Sequence, residues 1–204
     1  MTSEAVYPVD LSGELTEPLS RWLWLVKWLL AIPHYIILAF LGITFVILTL
    51  VAFFNILFTG RYPRSIFDFN VGVLRWGWRV GFYTYSALGT DKYPPFSLSS
   101  DDTYPADITV EYPSELSRGL IFIKWLLAIP HFIVVGFFQG GMGFPKYGGL
   151  ISIFSLFAGV ALLVTGRYPK SIFSLILGMN RWALRVTAYA GLMCDEYPPF
   201  RLEP

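Results

Sequence analysis

Lys27-Trp28-Leu29-Leu30-Ala31-Ile32-Pro33-His34 recurs letter for letter at residues 124–131. The stretches that follow the two copies also match. Each runs into a long apolar segment and then Thr-Gly-Arg-Tyr-Pro, at residues 59–63 and 165–169. Next come Arg75-Trp76 and Arg181-Trp182, then Tyr-Pro-Pro-Phe at residues 93–96 and 197–200. Upstream, Tyr7-Pro8-Val9-Asp10-Leu11 answers to Tyr104-Pro105-Ala106-Asp107-Ile108 at the same spacing as the octapeptides. The chain is an internal duplication, with one repeat in residues 1–100 and the other in residues 101–204.

The duplicated runs are too apolar for water. Of 204 residues, 55% are hydrophobic and 18% aromatic. Charged residues make up 14%, and mean hydropathy is +0.56, where a soluble domain carries about 25% charged residues. Cys194 is the single cysteine, which excludes an internal disulfide and a cysteine-based metal site. The amino-terminal stretch lacks a basic region followed by a short apolar core, so no cleaved signal peptide is expected.

Between Trp22 and Phe58 only Lys27 carries a formal charge. One crossing of a roughly 30 Å hydrocarbon layer takes about 20 helical residues, so a run of this length suggests two. The octapeptides lie 97 residues apart and the Thr-Gly-Arg-Tyr-Pro copies 106 apart, which leaves nine extra residues in the second copy. The Gly-rich stretch 139–149 is their evident place, and loops tolerate insertions. Its counterpart is near Leu41 and Gly42. The expectation is a helical hairpin in each copy, at residues 20–41 with 43–58 and 117–138 with 149–164. Pro33 and Pro130 would kink or locally break the first helix of each.

A third segment follows, at residues 64–89 and 170–193. Arg64, Asp68, Arg75 and Arg79 project within about 60° of arc, as do Lys170, Ser174, Arg181 and Arg185. A narrow basic stripe on an apolar helix suits a helix lying at the headgroups. A third spanning helix, with its arginines turned inward, is the rival. The expected fold is therefore an all-α integral membrane protein built as a tandem parallel repeat. Each unit is a transmembrane hairpin plus an amphipathic interfacial helix, and short strands at Tyr7-to-Leu11 and Tyr104-to-Val110 could pair the copies. All Lys and Arg except Lys146 would lie on the face holding both termini, which the positive-inside rule places in the cytoplasm.

The duplicated Trp-Leu-Leu-Ala-Ile-Pro-His, Thr-Gly-Arg-Tyr-Pro, Arg-Trp and Tyr-Pro-Pro-Phe series resembles a bacterial membrane-protein family catalogued as a domain of unknown function. The resemblance covers residues 7–98 and 104–202 and implies a multi-pass protein of the bacterial inner membrane. It implies no activity, ligand or catalytic residue.

Candidate residues come from the chemistry. His34 and His131 fall within the apolar segments, where an ionisable side chain is a functional candidate. They could satisfy carbonyls freed by the prolines, serve a proton or ion path, or ligate a haem axially. Lys27 and Lys124 can snorkel to the headgroups or form a buried ion pair. Arg75, Arg79, Arg181 and Arg185, beside Trp76, Trp78 and Trp182, are expected at lipid phosphates, with Arg61 and Arg167 anchoring the corners. Asp68 reads as a salt-bridge partner of Arg64. Hydrolase, phosphate-loop and zinc-protease motifs are absent, and nucleic-acid binding is not expected. The leading expectation is a non-enzymatic structural or accessory protein acting through lipid, a membrane-protein partner or a homo-oligomer. A small transporter or channel subunit comes second, and a haem-bearing electron-transfer subunit third.

Overall fold

Of the two outcomes expected at Pro33 and Pro130, a kink or a local break, the structure shows the break: each proline stands at the beginning of a helix. A computed structural model describes residues 7–141 and 148–203. Lys146, expected on the opposite face, lies outside the described residues. The elements run β1 (Val9–Gly13), a 3-10 turn at Leu23–Leu25, α1 (Lys27–Leu30), α2 (Ile32–Thr59) and α3 (Arg64–Tyr83). The second half runs β2 (Ala106–Val110), α4 (Leu120–Leu127), α5 (Ile129–Gln139), α6 (Leu150–Thr165) and α7 (Lys170–Ala190). Both prolines stand in the first turn of their helix, where the missing N–H would be unpaired anyway. The chain breaks just before them, and α4 and α5 meet at 47°.

The hairpin expected at residues 20–41 and 43–58 does not form. Its residues are a short bent lead-in followed by one continuous helix, α2, of 28 residues, about 42 Å long at 1.5 Å per residue. Gly42 has open space where its Cβ would be and makes no turn. A lone glycine costs a helix only about 1 kcal/mol, too little to stop a helix of this length.

The second copy explains the nine extra residues. α5 ends on Gly140 in the left-handed conformation (φ 82°). A methyl placed on Gly149 would overlap Phe138 O and Gly140 N, so the chain returns to the point where it left. α5 and α6 each lie along α7 and together take the place of α2. In place of the second expected hairpin, residues 117–138 with 149–164, the described residues form α4, α5 and α6, and residues 142–147 lie outside the description. Of all these helices, α2 alone is long and apolar enough by itself to cross a membrane.

The strands are present. β1 and β2 pair antiparallel, Val9 with Val110, Leu11 with Ile108 and Gly13 with Ala106. Alternation buries Val9, Leu11, Ala106 and Ile108. The arrangement is crossed: β2, which precedes the second repeat's helices, lies on α3 of the first, and β1 lies on α7 of the second. Reciprocal bonds continue the exchange. Tyr62 OH donates to Gly191 O (3.4 Å), and Tyr168 OH donates to Ala87 O (2.6 Å). The larger of two apolar clusters among the described residues runs through both repeats, including Phe82, Phe173, Ile56, Leu162, Trp78 and Tyr189. Trp24 of the first lies on Gly159 of the second.

The amphipathic helices, expected over residues 64–89 and 170–193, are shorter and do not lie on the outside. α3 and α7 are the centre of the fold, with α2 or α5 and α6 on one side and the sheet on the other.

Candidate functional site

Motifs spread over about seventy residues of each repeat meet at one site, built around a buried lysine and a buried histidine. In the first repeat the Lys27 ammonium, 1% exposed, donates to Thr90 O (2.6 Å) and pairs with Asp91 (2.8 Å). Asp91 also accepts from Ser20 N (2.5 Å). Seven residues beyond Lys27, across the break, Trp76 Nε1 donates to His34 Nδ1 (2.9 Å), and Phe96 stacks on the imidazole at 3.9 Å. Tyr93 reaches past it to donate to Leu30 O. The octapeptide, the Arg-Trp pair and Tyr-Pro-Pro-Phe are therefore parts of one lock that fixes the break between α1 and α2.

The second repeat builds the same object. Lys124 donates to Cys194 O (2.7 Å) and pairs with Asp195 (2.7 Å). Asp195 accepts from Ser117 N (2.7 Å), and Tyr197 OH donates to Leu127 O (3.0 Å). Trp182 Nε1 donates to His131 Nδ1 (3.0 Å), and Phe200 stacks at 4.1 Å. His34, His131 and Lys124 are all fully buried. The two lysines form ion pairs and do not snorkel to a surface, because a carboxylate and a carbonyl wait within bonding distance.

Because the indole N–H donates to Nδ1, that nitrogen presents its lone pair and the neutral imidazole carries its proton on Nε2. Iron coordination needs a free lone pair, and the one lone-pair nitrogen of each ring is already engaged by tryptophan. The arrangement does not fit an axial haem ligand.

The arginine stripe is turned into the protein. Arg75 donates to Asp107 (2.6 Å), Leu98 O and Ile108 O. Arg79, fully buried, donates to Ser99 O (2.8 Å) and lies 3.5 Å from Asp107. In the second repeat Arg181 donates to Leu202 O and Leu11 O and lies 3.7 Å from Asp10. Arg185, 1% exposed, donates to Arg201 O (3.5 Å). These four were expected at lipid phosphates; backbone carbonyls and the strand carboxylates hold them instead. Trp78, also expected at the interface, is buried with its indole on Ser12 O. Arg61 and Arg167 remain exposed at their corners. Arg64 pairs with Asp68 (3.0 Å) on the surface, and Ser174 donates to Lys170 O.

Sequence reasoning missed Asp91, Asp195, Asp107 and Asp10. A signal was available for the first two, since each stands two residues before Tyr-Pro-Pro-Phe. Burial pushes the Cys194 thiol up to about 11. Among the described residues no group of His, Cys, Asp and Glu is gathered for a metal ion.

Residues 21–97 and 118–201 each match the family model described as "Domain of unknown function (DUF4389)", and the chain belongs to that family. No curated protein and no solved structure matches it.

Proposed function

We propose that this family member is a non-enzymatic, membrane-embedded structural or accessory protein acting through a partner membrane protein or anionic lipid. The observation that carries the reading is the apolar coat. Along α2 only 6% of the most apolar 18-residue window is buried, and Phe40 and Phe58 are 68% and 74% exposed. The same is true of Phe122, Leu126, Phe157 and Val164 on α4 and α6. A water-facing apolar surface of this extent marks an interaction site or a lipid contact. The distinctive polar residues, by contrast, are occupied in internal locks, which supports a scaffold over a catalyst. The apolar core shared by the repeats also argues against a continuous polar path for a transported solute.

On this reading the protein resides in the bacterial inner membrane with both termini on the cytoplasmic side. The test is affinity purification from membranes in mild detergent, with mass spectrometry of what accompanies the protein. A stoichiometric membrane protein, or an anionic phospholipid enriched over the bulk membrane, is expected. Protein alone, carrying lipid of bulk composition, would overturn the reading.

A further inference from the structure

Both ends of α2 are tied to one polar layer, and that decides how the apolar surface meets a bilayer. At the start, Lys27 pairs with Asp91 and Tyr93 bonds Leu30 O. At the finish, Leu116 N donates to Gly60 O (2.8 Å), and Arg118 lies over Gly60 with its Nε 3.5 Å from where a Cβ would be. Between these anchors, the segment after Phe96 runs the length of α3. Ser99 O meets Arg79, Asp107 meets Arg75, and Tyr112 lies under the Arg64 guanidinium. α3 itself runs antiparallel to α2: Asn70 reaches Thr49 (3.4 Å), and Trp76 reaches His34.

An upright α2 would therefore carry a polar strand across the bilayer beside it. Asp10, Ser12, Thr109 and Glu111 are all exposed on or next to the sheet, and charges at hydrocarbon depth are strongly disfavoured. With α2 laid flat, the conflict disappears. A helix is about 10 Å thick, and one leaflet's hydrocarbon is about 15 Å deep, half of the roughly 30 Å core.

We propose that the protein is embedded in a single leaflet. In this arrangement α2, α4, α5 and α6 lie in the membrane plane as a raft one helix thick, and α3, α7 and the sheet are stacked toward water. The occupant of the apolar face is the acyl layer of that leaflet. The rim of the raft complements it in charge. Arg61 and Arg118 stand at the end of α2, and Arg167 and Arg21 at the equivalent end of α6, where Arg21 lies over Gly166. All four are exposed, and none has a carboxylate within ion-pair distance among the described residues. Guanidinium groups at that level match headgroup phosphates in shape and charge.

This inference rests on the membrane reading, and two measurements keep them apart. Flotation of the full chain with vesicles of phosphatidylethanolamine and phosphatidylglycerol tests association; protein left at the bottom of the gradient overturns both. Sidedness is tested with Arg61→Cys and Lys92→Cys, exposed positions at opposite ends of α2. A membrane-impermeant maleimide is applied to spheroplasts and to inverted vesicles. Both cysteines are expected to react in the same preparation and to be protected in the other, by about tenfold or more in rate. Reaction of one in spheroplasts and the other in inverted vesicles would mean that α2 crosses, and the single-leaflet placement would fail while membrane association stood.

Discussion

Replacing Asp195 by alanine strands a buried ammonium. Lys124 has no exposed surface, and its Nζ has two partners, Asp195 at 2.7 Å and Cys194 O at 2.7 Å. Removing one member of a buried pair costs about 3–5 kcal/mol. The Asp195 side chain is 28% exposed, so water relieves part of this, and about 2–4 kcal/mol is the reasoned figure. For a chain of this size that is a fall in melting temperature of about 4–16 °C. Lys124→Met is milder, because Asp195 keeps its bond from Ser117 N and its contact with solvent. In the double variant no buried charge is left unpaired, so its loss should be smaller than the sum of the singles by about 1.5 kcal/mol or more. Thermal unfolding in one detergent, followed by circular dichroism, measures all four corners of the cycle. The counterpart at Lys27 and Asp91 should repeat the pattern. A shift below about 2 °C for Asp195→Ala, or strict additivity, would refute the claim that these lysines are buried and paired.

Four further outcomes follow from the same geometry. Trp76→Phe and Trp182→Phe each leave a buried imidazole nitrogen without its donor and should lower stability by about 1–3 kcal/mol, read by the same unfolding assay. Gly178→Ala would place a methyl 2.8 Å from Leu202 Cβ and should cost about 1–3 kcal/mol through overpacking; a neutral result would contradict the close approach. With its thiol raised to about 11 by burial, Cys194 is almost wholly protonated at pH 8, and becomes reactive only as pH rises toward that value. Iodoacetamide should therefore label it slowly in folded protein at pH 8 and fully after denaturation. Deleting residues 140–148 should yield a folded protein with an unchanged or higher melting temperature, since Gln139 C already lies 2.5 Å from where a Cβ on Gly149 would be; loss of folding would show the inserted stretch to be structural.

The duplication, the breaks at Pro33 and Pro130 and the paired strands were legible because each leaves a local mark. Identity of spelling gives the first, a missing N–H the second, and alternation the third. The hairpins were misjudged because counting apolar residues measures length and not direction. Gly42 carries no turn signal beyond being glycine, and an insertion can leave a helix and rejoin it. The arginine stripe shows the limit of helical projection. Periodicity puts Arg75, Arg79, Arg181 and Arg185 on one face but cannot say whether phosphates or protein oxygens lie opposite. The carboxylates that Arg75, Arg79 and Arg181 meet, Asp107 and Asp10, come from distant strands, and no periodicity within the helix reports them. The lysine locks had a visible cue, the aspartate ahead of each Tyr-Pro-Pro-Phe, but its meaning depends on chain tracing across more than sixty residues.

The crossed strands make each half depend on the other. Arg181 meets a carboxylate from the start of the chain, and Arg75 meets one that belongs to the following unit. Neither repeat pairs its own central guanidiniums with its own strand carboxylate. The two halves therefore complete each other, and either half expressed alone is expected to lack the partner that its buried arginines require.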